Sequence, residues 1–369
     1  MRKCFILMLS IILGACRAQN DGHITVLHPL KETIQVDNLS DYLTVDDLVK
    51  IPDNELISDI SKILLTSEDN MVLLDVQKRI FSLDRSSNSL SLILNRGRAA
   101  NEYLMINDIA ITDDDELILL DDNRLHNVDI LNNRIISTMR LPDHIPVDAI
   151  APASEDSYYI FSAVPLNPKD FDSQSGYLLY RINSDNSIAE FIPREDCTFS
   201  LFNISQSSGN EYYLRPQSSD GIFYRLEEQQ VVPWMQVDFD NMTMPSRYYF
   251  DSANKDIAAY MMSKYYKLPM ELMLTNDNIY FHSCGPNAED YSFLYSRHSI
   301  KGIRWQNISD SNLAKVLACD ETGFYVVVNY LGGEDKNRYG ALTKYVLDYL
   351  EGRNAEQDRT YLVKIRCLF

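Results

Sequence analysis

Ile57 to Leu94 reads ISDISKILLTSEDNMVLLDVQKRIFSLDRSSNSLSLIL, and Ile106 to Leu141 reads INDIAITDDDELILLDDNRLHNVDILNNRIISTMRL. The two stretches align. Ile57-Ser58-Asp59-Ile60 lies over Ile106-Asn107-Asp108-Ile109, and Leu73-Leu74-Asp75 over Leu119-Leu120-Asp121. Each holds four short apolar or alternating runs separated by clusters of Asp, Asn and Ser. Runs of that length are strands, and such clusters are turns. One unit is therefore a four-stranded antiparallel meander.

Fainter copies begin at Val147, Phe199, Leu268 and Leu313, with SYYIFSA, NEYYLRP, DNIYFHS and GFYVVVNY among their middle strands. Repetition of a four-stranded unit every 40 to 50 residues or so is the signature of a β-propeller. Six units fit, so the expected fold is all-β: a six-bladed propeller of four-stranded antiparallel blades. The chain has 23 Tyr and only 13 Gly in 369 residues. Aromatic middle strands suit blade faces that pack on one another, and this accounts for the tyrosines. The last unit runs out of strands before the chain ends at TYLVKIRCLF (Thr360 to Phe369). His23 to Val36 is the strand expected to pair into that blade and remove its open edge, with Asp37 to Asp53 as a link. Two stretches carry apolar residues at helical spacing, Asp251 to Lys267 and Asn337 to Glu351, and are read as short helical insertions.

Lys and Arg total 34 against 53 Asp and Glu, a formal net charge of -19. Nucleic acid is bound through Lys and Arg, so it is excluded as a partner, and direct docking on an anionic membrane is disfavoured.

The N-terminus reads MRKCFILMLSIILGAC. Arg2 and Lys3 precede an apolar run from Phe5 to Leu13, far short of the 20 or so residues a spanning helix needs. Leu13-Gly14-Ala15-Cys16 resembles the bacterial lipobox, in which the cysteine is lipidated and becomes the new N-terminus. The expected organisation is a signal peptide over 1–15, a lipidated tether over 16–22 and the propeller over 23–369. Membrane contact then comes through the lipid on Cys16 alone. The cysteines left for pairing are Cys197, Cys284, Cys319 and Cys367, which allow three connectivities. Free thiols are the plainer reading; if one bridge forms, Cys319 with Cys367 is expected, because both fall in the last unit.

No constellation for chemistry emerges. The six histidines form no metal-spaced pair, and neither a nucleophile elbow nor a phosphate-binding glycine loop is present. Asp59, Asp108 and Asp148 recur near blade starts, where Asp caps turns, and Asp113 to Glu116 reads as a solvated hairpin tip. No cofactor or metal is expected, with bound Ca2+ as the minor alternative. The loop from Arg96 to Tyr103 joins the outer strand of one blade to the inner strand of the next. Arg96, Arg98, Glu102 and Tyr103 are therefore candidate ligand contacts at a funnel mouth. Asp75 and Asp121, at the ends of second strands, should flank the same mouth. An ion pair between arginine and Glu102 that only stiffens the loop is the competing expectation.

Three features resemble the six-bladed β-propeller lipoproteins of Bacteroidota, which are similar to NHL-repeat propellers. One is the lipobox ahead of a propeller. The second is NRGRAANEY (Asn95 to Tyr103), which is similar to that family's G-x-G-P-G-E-Y loop through Gly97, Glu102 and Tyr103. The third is QDRTYLVKIR (Gln357 to Arg366), which is similar to its terminal strand. The resemblance implies an outer-membrane lipoprotein of the cell envelope, on its periplasmic or its surface side. It also makes Asp251-Ser252-Ala253 an O-glycosylation pattern with Ser252 as acceptor. The function expected is non-catalytic binding of a carbohydrate, peptide or envelope protein through one ring face. The alternative is a metal-dependent hydrolase or lyase with its site in the central channel.

Overall fold

The computed structural model describes residues 24–68, 70–142, 147–154, 156–162, 178–192, 204–215, 221–245, 262–267, 269–307, 313–333 and 335–369. Six sheets surround one axis. Blades one to five begin with the inner strands Ile60–Leu65, Ile106–Ile111, Ala149–Ser154, Ile204–Gln206 and Met270–Leu274, and each runs outward through three further antiparallel strands. The unit starts read at Ile57, Ile106, Val147 and Leu313 fall within three residues of an inner strand, while Phe199 and Leu268 lie outside the described residues. The turns explain the low glycine content. Left-handed backbone positions fall to Asn88, Asp115, Asp122, Asn133 and Asn186, whose short polar side chains tolerate that conformation.

Blade six closes the ring, but with a different strand from the expected one. Its order is Ala314–Cys319, Phe324–Tyr330, Arg359–Cys367 and then Leu43–Lys50 from the N-terminal part of the chain. The closing strand lies inside the segment read as a link. Its Asp46 and Asp47 interrupt the apolar pattern because an outermost strand faces solvent; Asp46 pairs with Arg366 and Asp47 with Arg85 of blade one. The segment expected to close the ring divides instead. Thr25–Leu27 runs parallel to the outer strand of blade four, and Thr33–Gln35 parallel to that of blade five. Residues 25–50 thus form a belt across the outer edges of blades four, five and six, covering edges that would otherwise be open.

Cores lie between blades. Ile60, Leu73 and Phe81 of blade one meet Tyr325, Val327 and Leu362 of blade six, which completes the circle. Tyrosines fill these seams: Tyr158 and Tyr180 between blades two and three, and Tyr213, Tyr291 and Tyr295 between four and five. Their rings are buried, so they offer no exposed stacking face. The insertion expected near the C-terminus is a helix, Ala341–Gly352, whose Leu342, Val346, Leu347 and Leu350 pack against blades five and six. Of the other expected helix, 251–261 lies outside the described residues, and 262–267 forms bends ending in a bridge from Tyr266 to Thr243. Cys16, Cys197 and Ser252 also lie outside the described residues.

The Cys319–Cys367 bridge is not formed, and Cys284, Cys319 and Cys367 are free. The strand Phe324–Tyr330 runs between the strands carrying Cys319 and Cys367. Two strand spacings come to nearly 10 Å, beyond the Cα separation a disulfide spans. Among the described residues no helix is long and apolar enough to cross a membrane.

Candidate functional site

The topology makes the two ring faces unequal. Turns from first to second strand, and from third to fourth, emerge on one face and are tight: 66–70, 112–116, 130–133, 184–187, 275–277. Connections from second to third strand, and from each blade to the next, start and end on the other. The longest connections are all of this kind: 93–105, 162–178, 191–203, 238–269 and 331–358. Connecting segments that are not dictated by the sheet are where binding residues reside. The face of long connections is therefore the candidate functional face.

The loop entering blade two lies on it. Asn95–Arg96 pairs in parallel with Glu102–Tyr103. The Glu102 carboxylate accepts from the Ala99 amide at 2.8 Å and lies over Gly97, where any Cβ would meet it at 1.9 Å. A side chain at 97 would displace this carboxylate, and Glu102 is engaged with backbone instead of the expected arginine. The Arg96 guanidinium donates to the Leu104 carbonyl at 2.9 Å and remains exposed, as does Arg98. Tyr103 differs from expectation: it is 1% exposed, and its hydroxyl donates to the Lys78 carbonyl at 2.9 Å.

Asp75 and Asp121 do stand beneath this mouth, as their positions at second-strand ends require, but both are fully buried. Asp75 accepts from the Ser58 hydroxyl, the Arg79 amide and the Arg79 guanidinium. Asp121 accepts from the Leu104 and Met105 amides, with His126 and Arg124 beside it. Burial raises each carboxyl, yet the hydrogen bonds outweigh it and hold both below the usual carboxylate range. The Leu-Leu-Asp repeat thus staples each incoming inner strand to the turn of its own blade.

Below the mouth, and reaching tight turns of the opposite face at Ser67, Asp115 and Glu321, lies a cavity of about 810 Å³ bordered by inner-strand residues of all six blades, among them Lys62, Asp108, Ala149, Gln206, Glu271 and Ala318. Interblade bonds cross its wall. The Lys62 ammonium meets Asp108 at 2.7 Å, and the other Asp108 oxygen accepts the Ile150 amide. Asp59 accepts from Asn329 of blade six. Glu271 faces His282 at 3.3 Å; burial lowers the imidazole's affinity for protons, but the Glu271 charge outweighs it and raises its pKa. Among the described residues, no three carboxylate, imidazole or thiol ligand atoms bordering this cavity come within 4.8 Å of one another.

Pattern reading missed five exposed apolar residues: Leu56 (84% exposed), Val76 (56%), Met105 (51%), Leu331 (53%) and Leu104. All five sit in connections of blades six, one and two on the face of long connections. Apolar residues inside predicted turns were the available signal. Exposed Arg96 and Arg98 lie in a connection of the same face.

The fold is shared. A Bacteroides fragilis protein described as exported matches with a TM-score of 0.72 at 15% identity, over 94% of this chain and 100% of that one. Looser likenesses are the extracellular domain of a one component system from B. thetaiotaomicron (TM-score 0.41, 14% identity, 79% of this chain and 34% of that one) and virginiamycin B lyase from Staphylococcus aureus (TM-score 0.35, 10% identity, 64% and 65%). No curated relative matches. A family model described as a 6-bladed β-propeller matches residues 15–330.

Proposed function

Because the chain belongs to the DUF5128 family of six-bladed β-propellers, we propose that it is a non-catalytic, lipid-anchored binding protein of the cell envelope. It binds through the face of long connections. The observation that carries this reading is the exposure of Leu56, Val76, Leu104, Met105 and Leu331 in connections of that one face, which also carries exposed Arg96 and Arg98. Carbohydrate recognition relies on accessible aromatic plates, and the seam tyrosines are buried. The exposed apolar side chains named above carry no ring, so among the described residues a peptide or partner protein fits better than a sugar. The anchor is Cys16, and Cys16→Ala should move the protein from the membrane pellet to the soluble fraction or leave it unprocessed.

A photo-crosslinking residue placed at Met105 or Leu331 in cells tests the face. Leu131 is the control, since it is 88% exposed in a tight turn of the opposite face. The reading expects one discrete adduct from Met105 and Leu331 and none from Leu131. Adducts from Leu131 alone, or none from any position, would refute it.

A further inference from the structure

We propose that His28, Asp238 and Asp240 form a zinc-type metal site that fastens the N-terminal belt to blade four. Their ligand atoms lie within 4.8 Å of one another. His28 Nδ1 stands 3.4 Å from Asp240 Oδ1 and 3.9 Å from Asp238 Oδ2. Tetrahedral Zn2+ with N and O ligands at about 2.0 to 2.2 Å separates neighbouring ligand atoms by roughly 3.3 to 3.6 Å. Of the three pairs, one already has that spacing, the second needs a few tenths of an ångström, and the two carboxylate oxygens lie within 4.8 Å of each other.

The donors are prepared for the role. His28 Nδ1 is buried from solvent and has no hydrogen-bond partner. Asp238 is held by its other oxygen, which accepts from the Asp240 amide and the Thr243 hydroxyl, so Oδ2 is left facing the histidine. One imidazole nitrogen with two carboxylate oxygens suits zinc better than the all-oxygen cages of Ca2+ or Mg2+. Three protein ligands leave one position for water.

The site also has a competitor. The Lys31 ammonium bonds to Asp240 Oδ1, the oxygen a metal would use. Its side chain is 65% exposed and can swing into water at little cost. The belt is joined to blades four and five by two parallel ladders of three residues each, so a metal bridging His28 to Asp238 and Asp240 would add a tie where pairing is short.

Calorimetric titration of the tag-free, chelator-stripped protein with Zn2+ tests this. One ion per chain is expected to bind, and His28→Gln and Asp240→Asn should each weaken binding by more than about tenfold. Lys31→Met should tighten it by freeing Asp240. Zinc should slow amide exchange over residues 25–35 in the wild type and not in His28→Gln, which separates a tie on the belt from an ion held elsewhere. Absence of saturable binding, equal binding by His28→Gln, or weaker binding by Lys31→Met would overturn the proposal.

Discussion

The Tyr103 hydroxyl donates to the Lys78 carbonyl at 2.9 Å, and this bond pins the connection entering blade two onto the second turn of blade one. The ring beneath the hydroxyl packs with Leu74, Ile80 and Ile106 in the seam between the two blades. A residue in a charged, exposed loop is therefore a structural clamp.

Tyr103→Phe should keep the ring and lose the bond, at a cost of about 1 kcal/mol. Tyr103→Ala should cost about 3 to 5 kcal/mol, the range for a buried aromatic. Denaturant unfolding of both variants measures this. An alanine variant as stable as wild type would contradict the clamp.

Ring closure by Leu43–Lys50 has a covalent test. Leu43 and Cys367 are direct partners across the closing pair of strands. Partners across an antiparallel pair lie about 4.5 to 5.5 Å apart at Cα, within disulfide range. Leu43→Cys should form a bridge to Cys367 on mild oxidation, seen by peptide mapping and a raised melting temperature. Two thiols that stay free would show that the last blade is closed by another segment.

Acid should loosen the staples beneath the functional face. The carboxyls of Asp75 and Asp121 are depressed in the folded protein, while in the unfolded chain an aspartate titrates near about 3.9. Their contribution is therefore fully present above about pH 4 and is lost as pH falls through the folded values. Melting temperature followed from pH 7 to pH 3 should fall more steeply below pH 4 in the wild type than in Asp121→Asn. The variant itself should be destabilised at neutral pH by about 1 to 3 kcal/mol, the cost of unsatisfied buried groups. Parallel wild-type and variant curves in acid would rule this out.

The two buried thiols, Cys284 and Cys319, should be inert. Burial pushes Cys319 up to about 12, and Cys284 is raised as well. The thiolate is the reactive form, so alkylation of these two at pH 7.5 should be slow in the folded protein and fast after denaturation. Rapid native labelling of Cys319, mapped by mass spectrometry, would mean that the inner strand of blade six opens readily.

The blades were legible because each buries both faces, which makes Met71–Asp75 and Leu117–Asp121 unbroken runs of Met, Val, Leu and Ile closed by Asp. Leu43–Lys50 was not, because an outermost strand needs only one apolar side and carries Asp46 and Asp47 toward solvent and neighbouring arginines. The belt strands were hidden by their length, three residues each, too short for a period to show. At the candidate site, sequence placed Arg96, Arg98, Glu102, Asp75 and Asp121 under one mouth through topology alone. It could not tell that Tyr103 turns inward, because burial there depends on the seam between two blades. Nor did it find Val76 and Met105, since a single apolar residue in a turn carries no periodic signal.

The most direct test of binding through the face of long connections is the affinity of the partner captured from Met105 for three proteins: wild type, Met105→Asp and Leu131→Asp. Both positions are exposed, so both variants should melt with the wild type. The account predicts a loss of about 2 kcal/mol, roughly thirtyfold in Kd, for Met105→Asp and no change for Leu131→Asp. Wild-type affinity in Met105→Asp, or a loss confined to Leu131→Asp, would place binding elsewhere and contradict it.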